Sequence, residues 1–166
     1  AMDRLAQEGH IFAVCTNKPI RHTRLILEHF GIAGRFAAVA GRDSFPVFKP
    51  DPRHLTLTIE QAKGDPRRAV MIGDSKTDIL TARAAGIPSI CVPFGYTDVP
   101  IETLEPDFVI QHFDELADAV DASAEARAKV SCRLVGTQVA AERLAAPGAL
   151  AGRGDGCEGR HAVEQL

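Results

Sequence analysis

Short, continuously apolar segments constrain the fold of this chain more than any other feature. I-F-A-V-C (11–15), A-V-M-I-G (69–73) and S-I-C-V (89–92) have no polar alternation, so both faces of each strand are expected to be buried. The same pattern predicts strands at 36–40 and 107–110, and they alternate with predicted helices at 3–8, 20–29, 52–63, 76–85 and 113–121. Alternation of this kind is typical of an α/β fold with a doubly wound, Rossmann-like parallel sheet covered by helices on both sides.

Helical periodicity predicts which side chains share one face of a helix. We expect Leu25, Ile26 and Phe30 to lie on one side of the second helix, and Leu55, Ile59 and Ala62 to face inward from the third. Gly9, Gly31 and Gly86 each follow a predicted helix, where glycine commonly ends it.

Composition excludes several classes of protein. The chain has 166 residues, of which 45% are hydrophobic and 25% charged, with a net charge of −3. These values predict no nucleic-acid partner and no membrane partner. The four cysteines have no C-x-x-C spacing, and we expect Cys15 and Cys91 to be buried free thiols in a reducing, cytoplasmic compartment. The six histidines do not cluster, and we interpret them as surface or helix-side residues.

Polar groups follow three of the apolar segments. Thr16 and Asn17 come after the first strand, Lys49 precedes a helix, and Asp74 and Asp78 follow the strand that ends at Gly73. Polar groups at corresponding ends of parallel strands are expected to converge at one edge of the sheet. A hydroxyl, an ammonium group and two carboxylates have the chemistry to hold a phosphate and a Mg²⁺ ion.

Each of these residues also has a purely structural explanation. Thr16 could cap the helix at 20–29, and Lys49 could be a solvated loop lysine. Asp74 could be a helix N-cap and Asp78 a first-turn acid favoured by the helix dipole.

The order and wording of these motifs resemble the haloacid dehalogenase superfamily of phosphohydrolases, and within it the phosphoglycolate phosphatase branch. The resemblance covers about residues 3–120 and rests on short motifs: C-T-N-K-P (15–19), K-P-D-P (49–52), G-D-S-K-T-D (73–78), A-R-A-A-G-I-P (82–88) and F-G-Y (94–96). A receiver domain would place its acidic residues before the threonine and its lysine last, which is not the order here.

The resemblance implies Mg²⁺-dependent hydrolysis of a small phosphorylated metabolite, 2-phosphoglycolate being the substrate of the branch. It assigns Thr16 and Lys49 to catalysis, Thr16, Asn17 and Lys49 to the substrate phosphate, and Asp74 and Asp78 to the metal. The family's nucleophile lies in a D-x-D-G-T segment on its first strand, and the chain contains no D-x-D. We therefore expect a core that is incomplete at the N-terminus and, by itself, inactive. The alternative is a non-catalytic remnant that acts as a structural or interaction module.

The missing segment has a structural consequence. In the family, the strand of the first motif lies at the centre of the sheet, between strands 11–15 and 69–73. Without it, those two strands would pair directly or leave an open gap. Partners therefore include the missing N-terminal segment or a second copy of the chain.

Residues 1–121 are predicted to form the phosphatase-like core, and 122–166 an Ala/Gly/Arg-rich tail that is partly helical or disordered. Within it, 146–159 should be disordered, and 147–166 should be dispensable for stability.

Overall fold

The described residues form a six-stranded parallel sheet with helices on both faces, and five of its strands lie where the apolar segments predict them. The structure, a computed structural model, describes residues 1–95, 99–128 and the backbone of 161–164. The strands are β1 (Ile11–Cys15), β2 (Phe36–Ala40), β3 (Ala69–Gly73), β4 (Ser89–Cys91), β5 (Phe108–Val109) and β6 (His161–Glu164). The helices are α1 (Met2–Gln7), α2 (Ile20–His29), α3 (Pro52–Gln61), α4 (Lys76–Ala85) and α5 (116–128). The strand order is β2-β1-β6-β3-β4-β5.

Alternate residues of the central strands enter two separate cores. Phe12 of β1 and Ile72 of β3 pack with Leu5 of α1 and Leu116 of α5. Ala13, Cys15 and Met71 point to the other face and pack with Leu55 and Ile59 of α3 and Ala82 of α4. The two-residue period of a strand thus explains why β1 and β3 must be apolar at every position.

Local signals set the ends of the helices near the site. Asp51 caps α3 by accepting a hydrogen bond from the amide of Arg53 at 2.9 Å, and Pro52 occupies the first helical position. Gly86 ends α4 with a φ of 66°, a left-handed conformation that glycine adopts without steric cost. The prediction of Gly86 as a helix stop is therefore confirmed.

The side of α2 that carries Leu25 and Phe30 does not face the sheet. Leu25 and Phe30 are 54% and 68% exposed, whereas Thr23 and Leu27 are the buried residues of this helix. Thr23 satisfies its hydroxyl by donating to the carbonyl oxygen of Pro19 at 3.1 Å, so a polar residue is tolerated on the inner face. By contrast, the predicted inner face of α3 is confirmed, because Leu55, Ile59 and Ala62 are buried.

The centre of the sheet is filled by β6, which the sequence did not predict. His161 lies in register with Ile11 on one side and Ala69 on the other, and Glu164 with Val14 and Ile72. The expectation that β1 and β3 would pair directly or face an open gap is therefore wrong. The expected dispensability of 147–166 stays a prediction, although 161–164 form a strand that pairs with both of its neighbours.

The predicted division between core and tail stays a prediction. Helix α5 runs across the expected boundary after residue 121, and its Arg127 donates to the carbonyl oxygens of Ala69 and Gly86 at 3.2 and 2.9 Å. The predicted disorder of 146–159 falls outside the described residues. Among the helices described, none has the length and apolar character needed to cross a membrane.

Candidate functional site

Thr16 lies at the carboxyl end of β1, next to the end of β2. Its amide donates to the carbonyl oxygen of Ala40 at 3.0 Å, and its hydroxyl oxygen accepts from the amide of Lys18 at 3.1 Å. It does not cap α2, since Pro19 occupies the N-cap position and the amide of Ile20 donates to Asp43 Oδ1 at 2.7 Å. The hydroxyl oxygen of Thr16 therefore accepts from the loop after β1 and not from the first turn of α2.

Asn17 holds the backbone of Lys49 with both polar atoms of its side chain. Its Nδ2 donates to the carbonyl oxygen of Lys49 at 2.8 Å, and its Oδ1 accepts from the Lys49 amide at 3.1 Å. This two-point contact joins the loop after β1 to the loop before α3. The side chain of Asn17 thus positions the lysine, while its predicted role in binding phosphate stays a prediction.

Lys49 is buried and paired with a carboxylate. The side chain is 1% exposed, and its Nζ lies 2.5 Å from Asp78 Oδ1. A solvated loop lysine would be largely exposed, so that explanation is wrong. Burial of this ion pair fixes the Lys49 ammonium group against the Asp78 carboxylate.

Both oxygens of Asp78 accept hydrogen bonds from protein donors. Oδ1 accepts from Lys49, while Oδ2 accepts from the amide of Ser75 at 3.1 Å and from its hydroxyl at 2.6 Å. Ser75, not Asp74, is the N-cap of α4, and Asp78 completes a capping box with it. Asp78 therefore joins the start of α4 to Lys49.

Asp74 is half-buried and lies just beyond β3, one residue before the N-cap of α4. Together with Asp78 it gives this edge of the sheet a negative field. Burial first, and then these two carboxylates, raise the pKa of the neighbouring Cys91 thiol to about 11. Carboxylate oxygens in a negative field are suitable ligands for a hard divalent cation, so the residues present fit Mg²⁺.

His54 of α3 lies beside Cys15, the last residue of β1, and the sequence did not single it out. It is fully buried, its Nε2 lies 3.0 Å from the carbonyl oxygen of Gly41, and its Nδ1 lies 3.3 Å from Cys15 Sγ. Because a carbonyl oxygen can only accept, Nε2 carries the proton and Nδ1 accepts from the thiol. Burial lowers the pKa of His54 and raises that of Cys15.

One available signal could have identified His54. It stands on the same helical face as Leu55, Thr58 and Ile59, which are all buried. Of the two alternatives expected for the histidines, surface or helix-side, His54 is a helix residue but is buried instead of exposed. The expectation that Cys15 and Cys91 are buried free thiols is confirmed.

Another group of possible metal ligands lies away from these residues. Glu8, His10 and Asp121 come together beside the start of β1, the opposite end from Thr16. Arg4 contacts Glu8 at 3.0 Å and Asp121 at 3.8 Å, so a guanidinium already compensates their charge.

Comparison with known proteins places this arrangement in a family. Residues 1–86 match the haloacid dehalogenase-like hydrolases. A phosphoglycolate phosphatase of Mesorhizobium japonicum is 52% identical over 116 residues, which are 70% of this chain and 51% of the relative. One from Agrobacterium fabrum is 50% identical over 119 residues, 72% of this chain and 51% of the relative. The chain thus spans about half the length of the curated relatives it matches.

Solved structures give the same result for the fold. The crystal structure of a predicted phosphoglycolate phosphatase from Haemophilus somnus superposes with a TM-score of 0.67 at 32% identity, covering 71% of this chain and 53% of the other. A haloacid dehalogenase-superfamily hydrolase from Geobacter sulfurreducens superposes with a TM-score of 0.59 at 28% identity, covering 71% and 56%.

Proposed function

Because the chain belongs to the haloacid dehalogenase-like hydrolases, we propose that it serves the Mg²⁺-dependent hydrolysis of a phosphomonoester, with 2-phosphoglycolate as substrate. The substrate is suggested by the phosphoglycolate phosphatases among its relatives. A small phosphorylated metabolite as partner and a cytoplasmic location belong to the same proposal.

The buried pair of Lys49 and Asp78 is the observation that carries this proposal. A lysine that is 1% exposed loses the hydration of its ammonium group, and here one carboxylate oxygen at 2.5 Å compensates it. Burial of this kind strengthens the electrostatic attraction between the lysine and any anion beside it. Phosphoryl transfer depends mainly on such positioning and charge neutralisation.

Each residue then has a distinct task. The Thr16 hydroxyl donates to a phosphate oxygen, and Lys49 holds the phosphate as a point charge. Asp74 is the candidate metal ligand, and Asp78 takes part chiefly by holding Lys49, since both of its oxygens already accept from protein donors. Mg²⁺, when bound, neutralises phosphate charge.

The attacking carboxylate is not assigned to any of these residues. The relatives' family uses an aspartate of a D-x-D segment, and no such segment occurs in these 166 residues. We propose that the chain contributes the phosphate- and metal-binding half of the site, and that by itself it does not turn over a phosphomonoester.

Binding of inorganic phosphate by the purified chain tests the proposal. We expect calorimetric titration in the presence of Mg²⁺ to detect phosphate binding, and Thr16→Val to weaken it because the variant loses only a hydroxyl. Thr56→Val is the matched control, since the hydroxyl of Thr56 donates within α3 to the carbonyl oxygen of Arg53. Equal phosphate affinity in both variants would remove Thr16 from the site. Steady release of phosphate from 2-phosphoglycolate by the chain alone would contradict the predicted inactivity.

A non-catalytic module is the second candidate, and β6 favours it. The centre of the sheet is occupied by residues 161–164, which pair with both β1 and β3. The described strands thereby form a continuous sheet in which no residue is assigned as the reacting carboxylate. Failure of the parent chain to bind either phosphate or Mg²⁺ would support this candidate over the enzyme.

A further inference from the structure

Gly95 stands unusually close to the carboxylate of Asp74. An ideal Cβ built on Gly95 would lie 2.1 Å from Asp74 Cβ and 2.3 Å from its Oδ2. Real Cβ atoms do not approach other heavy atoms within 3.0 Å. The backbone of Gly95 therefore lies directly against the aspartate side chain.

The backbone conformation does not explain why this residue is glycine. Among the described residues, the glycines with a positive φ are Gly9, Gly31 and Gly86. Gly95 is not one of them, so an alanine is compatible with its φ. Glycine is required here because the Asp74 side chain leaves no room for a Cβ atom at residue 95.

The chain that leads to Gly95 contacts the rest of the fold at two points. The amide of Val92 donates to the carbonyl oxygen of Gly73 at 3.0 Å, which fixes the start of the loop to β3. Next to Gly95, the ring of Phe94 packs edge-to-face on Phe113 with centroids 5.1 Å apart. These two contacts hold the chain up to Phe94, so an added methyl group at residue 95 would press on the Asp74 side chain.

We propose that Gly95 is a positioning residue for Asp74. Because residue 95 has no side chain, its backbone contacts the Asp74 carboxylate directly and holds it in place. The inference rests on the proposed function for the identity of the ligand, Mg²⁺. It adds a specific requirement: residue 95 must lack a side chain for Asp74 to take its position.

Mg²⁺ binding by Gly95→Ala tests this role. We expect calorimetric titration of the 166-residue chain to show Mg²⁺ affinity lowered about 10–100-fold, the usual range for residues that orient a ligand. Gly34→Ala is the matched control, because its Cβ would meet no atom within 4 Å. Gly34→Ala should bind Mg²⁺ like the parent chain. A folded Gly95→Ala chain with the parent's Mg²⁺ affinity would overturn the proposal.

A second measurement works without any metal. The side-chain carboxyl ¹³C resonance of Asp74, assigned by comparison with Asp74→Asn, should shift in Gly95→Ala and stay in place in Gly34→Ala. If the parent chain binds no Mg²⁺ but this resonance shifts, the metal assignment fails while the positioning role of Gly95 holds. An unmoved resonance in Gly95→Ala would refute that role. Unfolding of Gly95→Ala would also contradict that role, because the contact between Gly95 and Asp74 would then stabilise the whole fold and not only position Asp74.

Discussion

Lys49 and Asp78, which are 29 positions apart in the chain, form one buried ion pair with Nζ and Oδ1 separated by 2.5 Å. The pair links the loop before α3 to the first turn of α4. Through Asn17, which holds the backbone of Lys49, it also reaches the loop after β1. Three segments that follow three different strands are thereby tied together at one edge of the sheet.

Removal of one partner of this pair should be more damaging than removal of both. Lys49→Met leaves the Asp78 charge buried without compensation, and we expect a loss of about 3–5 kcal/mol in the free energy of unfolding. Lys49→Met combined with Asp78→Asn should lose less than the sum of the single variants, as measured by urea denaturation. A double-mutant cycle on the exposed pair of Asp65 and Arg67 is the control. Solvent screens this pair, so its two substitutions should change the free energy of unfolding almost additively. Additive losses at Lys49 and Asp78 would contradict the assigned pairing.

The two hydrogen bonds between the Asn17 side chain and the Lys49 backbone should determine the position of Lys49. Asn17→Ala removes both hydrogen bonds and leaves the buried backbone groups of Lys49 unsatisfied, at about 1–3 kcal/mol for each group. Asn17→Asp retains an acceptor for the Lys49 amide but loses the donor to its carbonyl oxygen. We therefore expect chemical denaturation to rank stability as parent, then Asn17→Asp, then Asn17→Ala. Phosphate affinity should fall in the same order, and unchanged affinity in Asn17→Ala would separate this contact from the site.

The stability of the fold should depend on pH through His54. Burial lowers its pKa from the ordinary value of 6.5, so in acid the unfolded chain binds a proton that the folded chain does not. The stabilising contribution is complete above about pH 6.5 and is lost as pH falls toward the folded pKa. Lys49 opposes protonation of His54 and Asp51 favours it, but burial has the larger effect.

His54→Gln should flatten this dependence. Free energies of unfolding measured in urea between about pH 5 and 7 should rise less steeply with pH in the variant than in the parent. His22→Gln, which changes an exposed histidine of α2, should keep the parent's slope. A slope unaffected by His54→Gln would show that another group causes the pH dependence.

Strand β6 should be necessary for a cooperative fold. A strand at the centre of a sheet uses its amides toward both neighbours, and proline has no amide hydrogen to donate. Ala162, which pairs with Phe12 and Val70, is therefore the position to change. Ala162→Pro should lower the melting temperature markedly and broaden the transition, whereas Ala162→Val, which retains the amide, should remain much closer to the parent. An unchanged melt of Ala162→Pro, followed by circular dichroism, would show that the sheet does not depend on this strand.

Local patterns were sufficient for most of the elements. The segments 11–15 and 69–73 are apolar throughout because both of their faces are buried, whereas 36–40 is apolar although Ala37 is exposed. The structure has strands at all three segments. The helices at 20–29 and 76–85 also match their predicted bounds, as glycine follows each of them closely. The orientation of α2 was not predictable, because its own periodicity does not say which side meets the sheet.

The sequence by itself determined the alternating architecture, the resemblance to a known family and the polar residues that gather at the ends of strands. These depend on neighbours in the chain, on apolar periodicity and on short motifs. Only the tertiary structure decided that Asn17 holds Lys49, that both oxygens of Asp78 are engaged, that Gly95 lies against Asp74 and that β6 fills the centre of the sheet. Each of these contacts joins residues from separate segments, and their geometry depends on how strands and helices pack, which local sequence does not specify.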